Sequence, residues 1–112
     1  MKTIKILFFQ SLALALALAG FNVYAADQSI CNPGANVVLH NNGSLKSCQL
    51  KDDYAANNIQ CKNGHPASFY DNGKLESCVL SSQATIAENN CKQDGLISFF
   101  IDGKLKSCVK QD

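Results

Sequence analysis

The chain has 112 residues with 10 lysines, 9 acidic residues and no arginine, for a net charge of +1. A nucleic-acid binder would show a basic face and usually arginine forks, and neither is present. The length suits one domain with a thin core, which exported chains of this size supplement with cross-links; six cysteines are available.

Residues 1–25 read as a signal peptide. Lys2 and Lys5 give a basic start, residues 6–20 are almost wholly apolar, and Val23-Tyr24-Ala25 meets the small-residue rule for signal peptidase, placing cleavage before Ala26. A retained anchor is the competing reading, but the apolar run falls short of the roughly 20 residues a span needs. After cleavage no stable membrane span is expected. The residue after Leu18-Ala19-Gly20 is Phe21 rather than Cys, so a lipoprotein anchor is not expected either. Residues 26–112 then form a single domain that keeps 8 lysines and all 9 acids, a net charge of about −1.

That domain repeats itself. CNPGANVVLHNNGSLKSC from Cys31, CKNGHPASFYDNGKLESC from Cys61 and CKQDGLISFFIDGKLKSC from Cys91 recur with a period of 30 residues, each closed by a cysteine: Cys48, Cys78 and Cys108. A period of this size signals a repeat architecture in which each unit buries its apolar face on its neighbours. The units cover about 31–60, 61–90 and 91–112.

Within each unit, Asn42-Gly43, Asn72-Gly73 or Asp102-Gly103 separates two short strand-like runs, the strongest local hairpin signal. A two-residue turn would set Tyr70 opposite Leu75. A three-residue turn with a glycine bulge instead pairs Leu39 with Leu45, Phe69 with Leu75 and Phe99 with Leu105, giving every unit a matched apolar pair on one face. A one-residue slip moves side chains to the wrong face, so the matching favours the bulged turn. It predicts that Phe69, Leu75, Phe99 and Leu105 are buried and that Lys74 and Lys104 are exposed. The links QLKDDYAANNIQ and VLSSQATIAENN suggest an extension of the second strand, a polar turn and a short third strand; a helix over 54–60 would be marginal at seven residues. The expected fold is all-β: three 30-residue repeats of antiparallel β-hairpins, stacked as a meandering sheet or short β-solenoid and stapled by disulfides.

The cysteines admit structural disulfides, metal ligation or a reactive thiol. An even count in an exported chain points to disulfides. Zinc sites usually bring two cysteines within a few residues, which never happens here, and no odd thiol is left over. Two pairings respect the repeat: within units (Cys31–Cys48, Cys61–Cys78, Cys91–Cys108) or between them (Cys48–Cys61, Cys78–Cys91, with Cys31–Cys108). The second needs the two ends of an open stack to meet, so the first is favoured.

Other polar residues have structural explanations. His65 precedes Pro66 in a loop. Asp71 and Asp102 sit beside the turn glycines, as turn chemistry favours. Ser47, Ser77 and Ser107 recur before a cysteine with no histidine recurring beside them, which leaves no triad. Asn42-Gly43-Ser44 matches a glycosylation acceptor but lies on a tight turn. His40, Tyr70 and Phe100 occupy one position in the three units and form an aromatic row. It is either covered by a second layer or left open as a partner surface.

The pattern x-Phe-Tyr-x-Asn-Gly-Lys-Leu-x-Ser-Cys resembles MORN and MORN-variant hairpin repeats, and more closely small exported bacterial proteins with cysteine-flanked repeats. The resemblance covers 31–108. MORN units are shorter and often carry Trp, which this chain lacks. The resemblance implies scaffolding or lipid contact, and no family functional residue maps onto this chain. The expected product is an exported, non-enzymatic β-repeat module, periplasmic or secreted. It would act by surface recognition or assembly on a protein or envelope component, without cofactor or metal. The competing expectation is a secreted enzyme inhibitor or small toxin, for which Asn63, Gly64, His65 and Pro66 form the one modest loop candidate.

Overall fold

A computed structural model describes residues 27–111; the expected signal peptide at 1–25 lies outside them. Apart from one 3-10 turn at Gln28–Ile30, the described residues form ten strands: β1 (Val38–Leu39), β2 (Leu45–Gln49), β3 (Tyr54–Ala56), β4 (Ile59–Cys61), β5 (Pro66–Phe69), β6 (Leu75–Val79), β7 (Ala84–Ile86), β8 (Asn89–Cys91), β9 (Leu96–Phe99) and β10 (Leu105–Cys108). The chain is all-β. Six strands form one antiparallel sheet in the order β1-β2-β5-β6-β9-β10, while β3-β4 and β7-β8 are separate two-stranded hairpins.

The three sheet hairpins have the bulged turn. Leu39 lies opposite Leu45, Phe69 opposite Leu75 and Phe99 opposite Leu105. Gly43, Gly73 and Gly103 have φ of 90°, 89° and 95°, a region L side chains rarely adopt, which is why glycine recurs there. Their N–H groups donate to the carbonyls of His40, Tyr70 and Phe100. A second irregularity follows: Ser47 lies opposite Val38, and Ser77 opposite Ser68, so Lys46 and Glu76 are the extra residues. Neighbouring hairpins join in a shared register, with Cys48 opposite Ala67 and Cys78 opposite Ile97.

Each link contains a complete hairpin rather than the single strand expected, and no helix forms at 54–60. The two-residue turns Asn57-Asn58 and Ala87-Glu88 have positive φ throughout (51° and 64°; 49° and 71°). This backbone matches the twist of tight hairpins. Asn tolerates it; Ala and Glu carry no such signal, so the second hairpin was not readable from residue type.

The core lies between the sheet and these link hairpins. Phe69, Phe99, Leu50, Leu80 and Ile97 are fully buried, joined by Leu45, Leu75 and Ile59, with Tyr54, Ile86 and Ala84 packed against them. Tyr54 meets Phe69 edge-on at 5.8 Å between ring centroids. Each such buried side chain contributes about 1.5–3 kcal/mol by leaving water. Lys74 and Lys104 are exposed as expected, but Leu105 is only half-buried. It sits on β10, the edge strand of the sheet, with no further hairpin beyond it among the described residues. The bridges run Cys31–Cys48, Cys61–Cys78 and Cys91–Cys108, within units, and no cysteine is free.

Candidate functional site

The aromatic row divides into two different roles. His40, Tyr70 and Phe100 each follow an incoming strand, and their N–H groups donate to Ser44, Lys74 and Lys104 carbonyls at 2.8 Å. Beyond the backbone they part. The His40 ring reaches the next hairpin, with Nε2 2.8 Å from the Phe69 carbonyl oxygen; a carbonyl only accepts, so Nε2 carries the proton. Tyr70 repeats the move, its hydroxyl donating to the Phe99 carbonyl at 2.7 Å. Asn42 Nδ2 adds a donor to the Asp71 carbonyl at 3.0 Å. His40 and Tyr70 are thus part-buried clasps between hairpin tips. Phe100 has no polar hydrogen on its ring and no further hairpin to reach. It is 48 % exposed, with Lys106 Nζ 5.8 Å from its centroid, within cation–π range. Of the three, Phe100 alone is left exposed. The change from His and Tyr to Phe in the last unit is the signal that separates the roles.

The sheet face opposite the core is open. Successive strand residues alternate between faces, so Ser47, Ser68, Ser77, Ser98 and Ser107 point away from the buried Cys48, Ala67, Cys78 and Ile97. These serines stand side by side: Ser47 faces Ser68, Ser68 faces Ser77, Ser77 faces Ser98 and Ser98 faces Ser107. Ser47, Ser77 and Ser107 stood out in the sequence as cysteine neighbours; Ser68 and Ser98, their cross-strand partners, did not. The row is a low trough of small side chains across five strands. Gln49 paired with Pro66, and Val79 paired with Leu96, lie to one side of it. In the third unit this face adds exposed apolar groups to one side of the serine row, with Leu96 55 % and Val109 46 % exposed, while Phe100 lies at the other end of β9.

The loop at 63–66 is exposed at Asn63, Gly64 and Pro66 but is tied by hydrogen bonds to its neighbours. Asn63 donates twice to Asp53 Oδ1, from its backbone at 2.9 Å and its side chain at 2.8 Å. These two bonds hold the Asp53 carboxyl below the ordinary aspartate range. Gly64 N–H donates to the Leu50 carbonyl, Leu50 N–H to the His65 carbonyl, and Gln49 Nε2 to the Gly64 carbonyl. Pro66 starts β5. The loop offered for the competing inhibitor reading thus also forms part of the junction between units.

Shallow depressions flank the sheet. One is bordered by Val38, Ser47, Gln49 and Pro66, the other by Gln83, Lys92, Gln93, Asp94 and Gln111; both are open to solvent. Among the described residues no three His, Cys, Asp or Glu side chains come together as metal ligands, and no helix is long and apolar enough to cross a membrane. Comparison with protein-family models, curated proteins and solved structures finds no match to this chain.

Proposed function

We propose that this is an exported, non-enzymatic binding module built from three stacked 30-residue repeats of MORN-like hairpins. It works outside the cytoplasm, in the periplasm or beyond, and recognises a protein partner through the open face of its third unit. Three disulfides in a chain of this size are consistent with an extracytoplasmic setting. One observation carries the functional part. Leu96, Phe100 and Val109 are about half exposed on a sheet face that no link hairpin covers, whereas the equivalent hairpin-tip aromatics, His40 and Tyr70, are engaged within the fold. Exposed aromatic and aliphatic groups at low ordering cost are the usual anchors of binding surfaces. Lys104 and Lys106 border the Phe100 end of this surface, so its partner is apolar with an acidic border.

The test is capture of partners from the native envelope or medium by the parent protein and by a Leu96→Ser, Phe100→Ser double variant. Both side chains are exposed, so melting should be nearly unchanged while capture is lost. A variant that melts normally and captures normally removes this face from consideration.

A further inference from the structure

The two edges of the sheet are built differently, and the difference bears on association. In the repeat, Val37 corresponds to Ala67 and Ile97, and Leu39 to Phe69 and Phe99. Ala67, Ile97, Phe69 and Phe99 are at most 1 % exposed, yet Val37 and Leu39 are 36 % and 43 % exposed, with Val38 between them at 45 %. The reason is positional: a link hairpin precedes β5 and β9, and none precedes β1 among the described residues. The backbone follows the same logic. His40 N–H donates to Ser44 on β2, so ladder alternation turns Leu39 and Val37 groups to the outside. Their counterparts are taken: the Phe69 and Phe99 carbonyls accept from His40 and Tyr70, while Ala67 and Ile97 face Cys48 and Cys78. No charged residue occurs from Cys31 to Leu45.

The opposite edge, β10, is barred. Lys104 and Lys106 flank or lie on it, and exposed lysine is a standard guard of a free strand. Lys110 replaces Leu50 and Leu80, which are fully buried where a further unit follows. Phe100 has no hydrogen to give to a neighbouring carbonyl. Adding the β1 edge of a second copy to β10, head to tail, would set an ammonium where the inner junctions bury leucine and would lack the clasp.

We propose that β1 is a self-association edge: two copies pair their β1 strands antiparallel about a two-fold axis at Val38. The pairing joins two six-stranded sheets into one. It sets Val37 of each copy against Leu39 of the other, on the core side of both. An isologous contact needs a self-complementary patch, and a neutral aliphatic edge with outward N–H and C=O groups meets that need. The contact closes on itself and stops at a dimer. It uses an edge, whereas the recognition proposed above uses a face, so either can fail without the other.

Sedimentation velocity of the disulfide-bonded protein over a concentration series should show a monomer–dimer equilibrium and nothing larger. Val38→Lys, at an exposed position on the axis, should weaken dimerisation by about tenfold or more. Val37→Pro, which removes one outward N–H, should do the same by different chemistry, and Lys106→Ser on β10 should change nothing. Hydrogen exchange on the unaltered protein should show the Val37 and Leu39 amides gaining protection as concentration rises. A protein that stays monomeric at millimolar concentration overturns the proposal. So does a dimer indifferent to both folded β1 variants, an open-ended series of oligomers, or β1 protection that appears only when a different protein is added.

Discussion

The first and last hairpins of the sheet share a sequence pattern and a register, yet their residues live in different surroundings. Leu39 faces Leu45 as Phe99 faces Leu105. Phe99 is 1 % exposed and Leu39 is 43 % exposed. What separates them is the link hairpin β7-β8, which covers the core side ahead of β9 and has no counterpart ahead of β1 among the described residues. Burial in this fold is a property of the neighbour, not of the unit. At the far end the matching positions carry different residues: Lys110 stands for Leu80 and Phe100 for Tyr70. At the near end they stay aliphatic.

The largest test of that comparison truncates equivalent core positions. Phe69→Ala should cost about 3–5 kcal/mol in denaturant unfolding, as full burial of the ring requires. Measured on dilute monomer, Leu39→Ala should cost clearly less, about 1–2 kcal/mol, because a side chain left 43 % exposed loses less when shortened. Equal costs in dilute monomer would mean that Leu39 is covered within its own chain.

Removing bridges probes the same gradient. Each closes a loop of equal length, with a sequence separation of 17, so chain entropy assigns about 3 kcal/mol to each. Cys61 and Cys78 are buried, while Cys108 is partly exposed. Replacing Cys61 and Cys78 by Ser therefore adds two buried hydroxyls to the loss, and replacing Cys91 and Cys108 adds fewer. The middle pair should lower the melting temperature more than the last; the reverse order would contradict the burial gradient.

The clasps give a smaller and sharper contrast. Tyr70→Phe should cost about 1 kcal/mol, the net worth of a typical hydrogen bond whose acceptor is left partly shielded. Phe100→Tyr should be near neutral, because no carbonyl lies beyond it. A matching loss at both positions would show that the hydroxyl is not what joins the hairpins.

The smallest expected effect is a gain. Ala87→Asn with Glu88→Gly should stabilise the protein by about 1 kcal/mol, since Ala and Glu hold positive φ at a cost that Asn and Gly largely avoid. The change tightens β7-β8, the cover over the third unit, and slower exchange of the Phe99 amide should accompany it. No gain would indicate that the turn relaxes in solution.

Much of the sheet was legible in the chain because its signals are local. Asn-Gly and Asp-Gly mark the turns, and the pairing of Phe69 with Leu75 across five intervening residues decides the register. The link hairpins were not legible, because Ala87-Glu88 adopts a turn its residues do not advertise. The clasps were not legible either: His40 and Tyr70 bond carbonyls 29 residues away, and no periodicity encodes a side chain reaching a neighbour's backbone. Leu105 was expected to be buried and is only half-buried, because pattern alone cannot tell an inner strand from an edge. The candidate surface was legible only as a row, of which Phe100 remains free.

The disulfides also have a consequence for biogenesis. The bridges are consecutive: the first cysteine joins the second, the third the fourth and the fifth the sixth. A chain that emerges N-terminus first meets its correct partner before any wrong one has appeared, provided oxidation keeps pace with emergence. Each closed loop contains a whole sheet hairpin, so covalent closure and strand pairing favour the same short segment. The molecule can thus be assembled one loop at a time, with little need for reshuffling among the fifteen ways that six cysteines can pair.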